Sequence, residues 1–142
     1  MLDHIVYVDS SSKELQKLLS GEKTMMIRAS MGKARPYGQV KAGDTLFLVN
    51  TGSPWKVKAM ADVADTYYSD KMSEEESTEL IENHRDELHL SKEEKSRYHG
   101  KRYVVLIGVT NVRSIVPFSI VEQIHGGLDD WLVIDSIDKV TS

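Results

Sequence analysis

Lys56-Val57-Lys58-Ala59-Met60-Ala61-Asp62-Val63-Ala64 alternates without a break. Val57, Ala59, Ala61 and Val63 fall on one face; Lys56, Lys58, Met60 and Asp62 fall on the other. Period two with one apolar face is the pattern of a half-buried antiparallel strand. The chain around it is best assigned by asking which neighbours can pair with such a strand.

Upstream, Thr45 to Val49 reads as a strand, entered by a tight turn at Lys41-Ala42-Gly43-Asp44 and left by a turn at Asn50-Thr51-Gly52-Ser53-Pro54. Ser30 to Gly38 holds Gly32, Pro36 and Gly38 and reads as a loop. Lys23 to Arg28 and His4 to Val8 read as two further strands. Between them Ser11 and Glu14 stand at capping-box spacing, Leu15, Leu18 and Leu19 at helical spacing, and Gly21 ends the helix. Downstream, Ser73-Glu74-Glu75-Glu76 is a second capping box, and the spacing predicts a helix to about Leu90. Ser91 and Glu94 restart a short helix ending near Gly100. Arg102 to Val109 is the most apolar strand, Asn111 to Pro117 is its partner or a loop, and Trp131 to Ile134 is the last strand. Successive strands without crossover helices make a sheet that is mostly antiparallel or mixed. The expected fold is α+β, a small, partly open barrel with flanking helices, formed by residues 1–142 as one domain.

There is no cysteine, which excludes disulfides, zinc–thiolate sites and thiol nucleophiles. No apolar run approaches the roughly 20 residues that span a bilayer, and Met1-Leu2-Asp3-His4 does not begin a signal peptide. A soluble, cytoplasmic protein with no membrane partner is the expectation. Neither a phosphate-binding nor a dinucleotide-binding glycine motif occurs. His84 and His89 are five apart and so do not share a helix face, and His4, His99 and His125 add no ligand motif. No metal and no cofactor are expected.

The charge is unevenly placed. From Lys23 to Lys58 seven basic residues face one acid, Asp44, for a net +6; the chain totals −4, leaving −10 for the rest. Such asymmetry points to an anionic partner met by one face. Ser73 to Arg97 carries nine acids against four bases, a net −5, and reads as a solvated helix face turned away from such a partner.

Gly21-x-Lys23-x-x-Met26-x-Arg28, just after a helix, resembles the signature of the ASCH family in the PUA-like superfamily, whose pattern is Gly-x-Lys-x-x-Glu-x-Arg. Lys41 to Phe47, leading into Val49 to Gly52, resembles that family's glycine–aspartate turn and second barrel strand. The similarity covers most of residues 10 to 110; the remainder is only vaguely like the related EVE-type domains. Met26 stands where the family has glutamate. The resemblance implies a PUA-like pseudo-β-barrel with a cleft that handles RNA or modified nucleosides. Some small members are amidohydrolases of acetylated cytidine, using a lysine, a threonine and a glutamate; Lys23 matches that lysine, whereas Thr24 lies two positions too early.

On this reading RNA or a modified nucleotide is the expected partner. Lys23, Arg28, Lys33 and Arg35 are candidates to neutralise phosphate, and Tyr37 and Trp55 to stack bases. Asn50 and Thr51 either read a base edge or simply build a turn. Trp131 and Phe118 are assigned to the core. Two alternatives stand beside nucleic-acid binding. One is a hydrolase of an acylated nucleoside with Lys23 as its polarising or basic group; the other is a protein-interaction domain working through the acidic helix at Glu75 and Glu79. Oligomeric state is left open.

Overall fold

The computed structural model describes residues 1–52, 56–120 and 130–141. Six strands form one mixed sheet: β1 Asp3–Val8, β2 Met25–Ser30, β3 Thr45–Asn50, β4 Lys56–Tyr68, β5 Tyr103–Ser119 and β6 Trp131–Ile134. Their order is β2-β5-β4-β3-β1-β6. Only β1 and β3 pair in parallel; every other neighbouring pair is antiparallel. Among the described residues four α-helices flank the sheet: α1 Glu14–Ser20, α2 Glu74–Asn83, α3 Arg85–Leu88 and α4 Lys92–Tyr98. The expected α+β half-barrel is the architecture observed. Among the described residues no helix is long and apolar enough to cross a membrane.

Alternation decides which side of each strand is buried. Val57, Ala59 and Ala61 are fully buried and Val63 nearly so. Ala59, Ala61 and Val63 pack with Leu46, Leu48, Met26, Ile107 and Trp131, and α1 adds Leu15 and Leu18. The opposite face of β2 and β5 presents Ile27, Val104 and Leu106 to Ile81, Leu88 and Tyr98 of the helical layer. A third cluster, with Ile5, Phe47, Val49 and Val57, is covered by Phe118, Ile120 and the C-terminal residues Ile137 and Val140. Trp131 is core, as expected, and Phe118 packs edge-on against Phe47.

Four expectations change. The second strand begins at Met25, so Lys23 lies in the connection before it. Residues Asn111 to Pro117 are neither loop nor separate partner but the continuation of β5. Asn111 takes a left-handed conformation (φ 52°) and the β4–β5 register shifts at three places, so the strand bends without ending. The long acidic helix breaks at His84, whose ring donates from Nδ1 to the Leu80 carbonyl while its backbone N–H turns to Ile81 O. The side chain thus takes the acceptor that would have continued the helix. Finally, Ser11 does not cap α1: Lys13 enters the helix at φ 57°, and the Glu14 carboxylate accepts from the Asp9 N–H at 2.9 Å. The capping boxes at Ser73–Glu76 and Ser91–Glu94 are both formed.

Candidate nucleic-acid interface

β2 is an edge strand, and its inner face turns toward β1 across the open seam of the half-barrel. Met26 and Arg28 share that face, since they are two residues apart. Met26 is sealed in the main core, so the family's glutamate position carries only packing here. Arg28 spans the seam. One terminal nitrogen donates to Ile27 O of its own strand at 2.7 Å, and the other donates to Tyr7 O of β1 at 2.9 Å. Its guanidinium lies 5.3 Å from the Trp131 ring. Nε comes within 3.2 Å of the Asp130 carboxylate, an ion pair at the edge of the cleft. Burial works against the Arg28 charge; Tyr98, Asp130 and Glu14 outweigh it and raise its pKa.

A cleft of about 430 Å³ opens beside Arg28. β2 contributes Arg28 and Ser30, the following loop Arg35 and Tyr37, α4 Arg97 and Tyr98, the turn after α4 Lys101, and the start of β5 Tyr103; Asp130 stands on the last side. Tyr37 donates its hydroxyl to Ser69 O at 2.6 Å and meets Tyr103 edge-on at 5.9 Å. The Lys33 ammonium lies over both rings, at 5.4 and 5.8 Å. A smaller inner lobe of about 180 Å³ continues past Arg28, Arg97, Tyr98 and Asp130 to Tyr7, Asp9, Glu14 and Thr51.

The candidate residues therefore separate. Arg28, Arg35 and Tyr37 line the cleft and Lys33 flanks it. Thr51 lines the inner lobe and its hydroxyl accepts from Ser10 N at 3.0 Å. Asn50 accepts from Gly52 N at 3.4 Å, which is turn chemistry. Trp55, with Ser53 and His125, lies outside the described residues. Lys23 is not on the cleft. It is buried, donates to Leu88 O at 2.6 Å and sits 3.6 Å from Glu14. Burial lowers its pKa, with Glu14 and Glu94 opposing. Lys23 thereby ties α1 and the end of α3 to the entry of β2.

Sequence reasoning missed Arg97, Tyr98, Lys101 and Tyr103. The acidic segment was expected to face away, yet its last turn turns into the cleft because α4 packs over β2. A signal was present: Arg97-Tyr98-His99-Gly100-Lys101-Arg102-Tyr103 interleaves three cations with two tyrosines in seven residues. Asp9, Glu14 and Asp130 carried no such mark. Among the described residues no cluster of histidines and acids is arranged to hold a metal ion.

No protein-family model matches the sequence, and no curated protein matches it. Solved structures do match. The ASCH protein from Zymomonas mobilis has a TM-score of 0.67 to this chain at 14% identity, covering 99% of this chain and 96% of its own. A serine-to-alanine variant of it gives 0.68 at 13% identity, over 96% and 91% of the two chains. A tyrosine-to-phenylalanine variant gives 0.68 at 13% identity, over 99% of both. At such identity the likeness concerns architecture and not the site. The chain has the fold of an ASCH domain, a PUA-like pseudo-barrel.

Proposed function

We propose that the cleft binds single-stranded RNA or a nucleotide, with phosphate on its cationic rim and a base against its tyrosines. The observation that carries this reading is the cleft's composition. In a chain of net charge −4 it gathers, among the described residues, Arg28, Arg35, Arg97 and Lys101 around one carboxylate, Asp130, with Tyr37, Tyr98 and Tyr103 between them. Cations hold phosphates without reading sequence, and aromatic faces accept any base. The shared architecture with an ASCH protein supports it at the level of fold.

The test is fluorescence anisotropy with a labelled single-stranded RNA over a range of KCl concentrations. Three or four phosphate contacts give a slope of log K against log salt of roughly −2 to −3, at about −0.7 per contact on a single strand. The double variant Arg35→Ala/Lys101→Ala should lower that slope by roughly 1.4. Affinity that is flat in salt, or a slope unchanged in the double variant, would refute the reading.

A further inference from the structure

Parity along β2 decides which of its main-chain groups the sheet leaves over. In an antiparallel ladder the N–H and C=O of one residue point the same way, and successive residues alternate in direction. Val109 N donates to Thr24 O at 3.0 Å, one step beyond the opposed pair Met25 and Gly108. The even-numbered residues of β2 therefore bond to β5, while Met25, Ile27 and Ala29 turn their main-chain groups to the open side. Two contacts agree with this parity. Val104, opposite Ala29, accepts from Ser69 N at 3.0 Å and donates to the Ser69 hydroxyl at 2.9 Å, so both its main-chain groups are directed away from β2. On the open side, Ile27 O accepts from the Arg28 guanidinium at 2.7 Å.

Ala29 is what this leaves over. It is half-buried and lines the cleft beside Arg28, Ser30 and Tyr103. Neither its N–H nor its C=O has a protein partner among the described residues. A pairing peptide strand needs a succession of such groups. Here Ile27 O is already spent on Arg28, and the chain bends at Met31 and Gly32. One donor beside one acceptor suits a short planar edge instead. Every nucleobase offers the complement on its Watson–Crick edge: N6–H beside N1 in adenine, N4–H beside N3 in cytosine, N1–H beside O6 in guanine, N3–H beside O4 in uracil.

We propose that the main chain of Ala29 holds the Watson–Crick edge of an unpaired base, without choosing among the four, while the cations of the cleft hold phosphate. This rests on the reading of the cleft as a nucleotide site and narrows its ligand to strands whose Watson–Crick edges are free.

The experiment is competition against a labelled single-stranded RNA on the intact protein, with octauridine, its N3-methyluridine counterpart and its 5-methyluridine counterpart. The N3-methyl group removes the donor at the Watson–Crick edge and keeps charge and ring face, so that oligomer should bind roughly tenfold more weakly than octauridine. Its salt slope should match, because the phosphate contacts are the same. The 5-methyl group lies on another edge and should leave affinity within about threefold. Ala29→Pro deletes the N–H without breaking the ladder, since proline is tolerated on an edge strand whose N–H faces out. Checked for folding by circular dichroism, it should weaken octauridine roughly tenfold. If it does not fold, the N3-methyl comparison on the wild-type protein decides. Equal binding of octauridine and the N3-methyl oligomer overturns the inference and leaves RNA binding standing. A penalty as large for the 5-methyl oligomer overturns it too, because the cleft would be rejecting bulk. Wild-type affinity in a folded Ala29→Pro variant overturns the assignment to Ala29. Stronger displacement by an oligoglutamate peptide than by octauridine assigns the edge to an acidic peptide and overturns the inference. Failure of the labelled RNA itself to bind overturns the underlying reading and the inference with it.

Discussion

Replacing Arg28 with methionine should cost about 2–4 kcal/mol of stability, because Arg28 closes the seam of the half-barrel with two bonds to main-chain carbonyls. Methionine keeps an unbranched apolar stem over Trp131 and removes the guanidinium. Hydrogen bonds to a charged group contribute about 1.5–3 kcal/mol each, so the two give about 3–6 kcal/mol before correction. Part of this is returned, since the variant no longer keeps a charge out of water. The Asp130 contact adds little, because its carboxylate is 56% exposed and screened by solvent. An exposed pair of that kind is worth less than about 1 kcal/mol. The assay is urea denaturation followed by far-ultraviolet circular dichroism and tryptophan fluorescence, Trp131 being the reporter beside the mutated group. At slopes of about 1–3 kcal/mol/M the Arg28→Met midpoint should fall by roughly 1–3 M, and the Asp130→Asn midpoint by well under half of that. A loss under about 1 kcal/mol in Arg28→Met, or one no larger than in Asp130→Asn, would show that the carbonyl bonds do not hold the seam.

Removal of the acid from the cleft should tighten RNA binding: Asp130→Asn is expected to raise affinity severalfold at low salt, and equal or weaker anisotropy-derived binding counts against the proposed phosphate path. Burial lowers the Lys23 pKa, so on raising the pH toward the ordinary lysine range the native chain gives up a proton that the unfolded chain still holds. Stability relative to a Lys23→Met variant should therefore rise over that interval, and parallel pH profiles of the two proteins would remove Lys23 as the cause. Ser91→Ala removes both the α4 cap and a 2.7 Å contact with Ser12, whereas Ser73→Ala removes a cap alone. Thermal unfolding should show a loss of about 1 kcal/mol for Ser73→Ala and a larger one for Ser91→Ala; the reverse order would contradict the structure.

Individual elements show what was legible and why. The alternation from Lys56 to Ala64 identified both a strand and its buried face, since period two is a property of the strand itself. The capping boxes at Ser73 and Ser91 were legible for the same reason: cap and acceptor lie three residues apart. The same spacing misled at Ser11, where the Glu14 carboxylate is drawn instead to Asp9 N. The bend at Asn111 looked like a strand end because a local break in pattern cannot reveal whether pairing resumes beyond it. At the site, Arg28, Arg35 and Tyr37 stood within the conspicuously basic span and do line the cleft, while Lys23, within the same span, turns to a carbonyl 65 residues away. Arg97 and Tyr98 were hidden by the acidic residues before them.

The sequence by itself determined most element types, the helix starts at Ser73 and Ser91, the apolar face of β4 and the excess of positive charge in about a quarter of the chain, because each depends on residues within a turn or a few strand positions of one another. Only the tertiary structure decided which charges meet. The cleft joins Arg28, Tyr37, Arg97, Lys101 and Asp130 from segments scattered over a hundred residues, and closure of the sheet brings Arg28 to Tyr7 O. Side-chain ionisation and exposure follow from that closure, through burial and through partners distant in sequence, and no local pattern carries either.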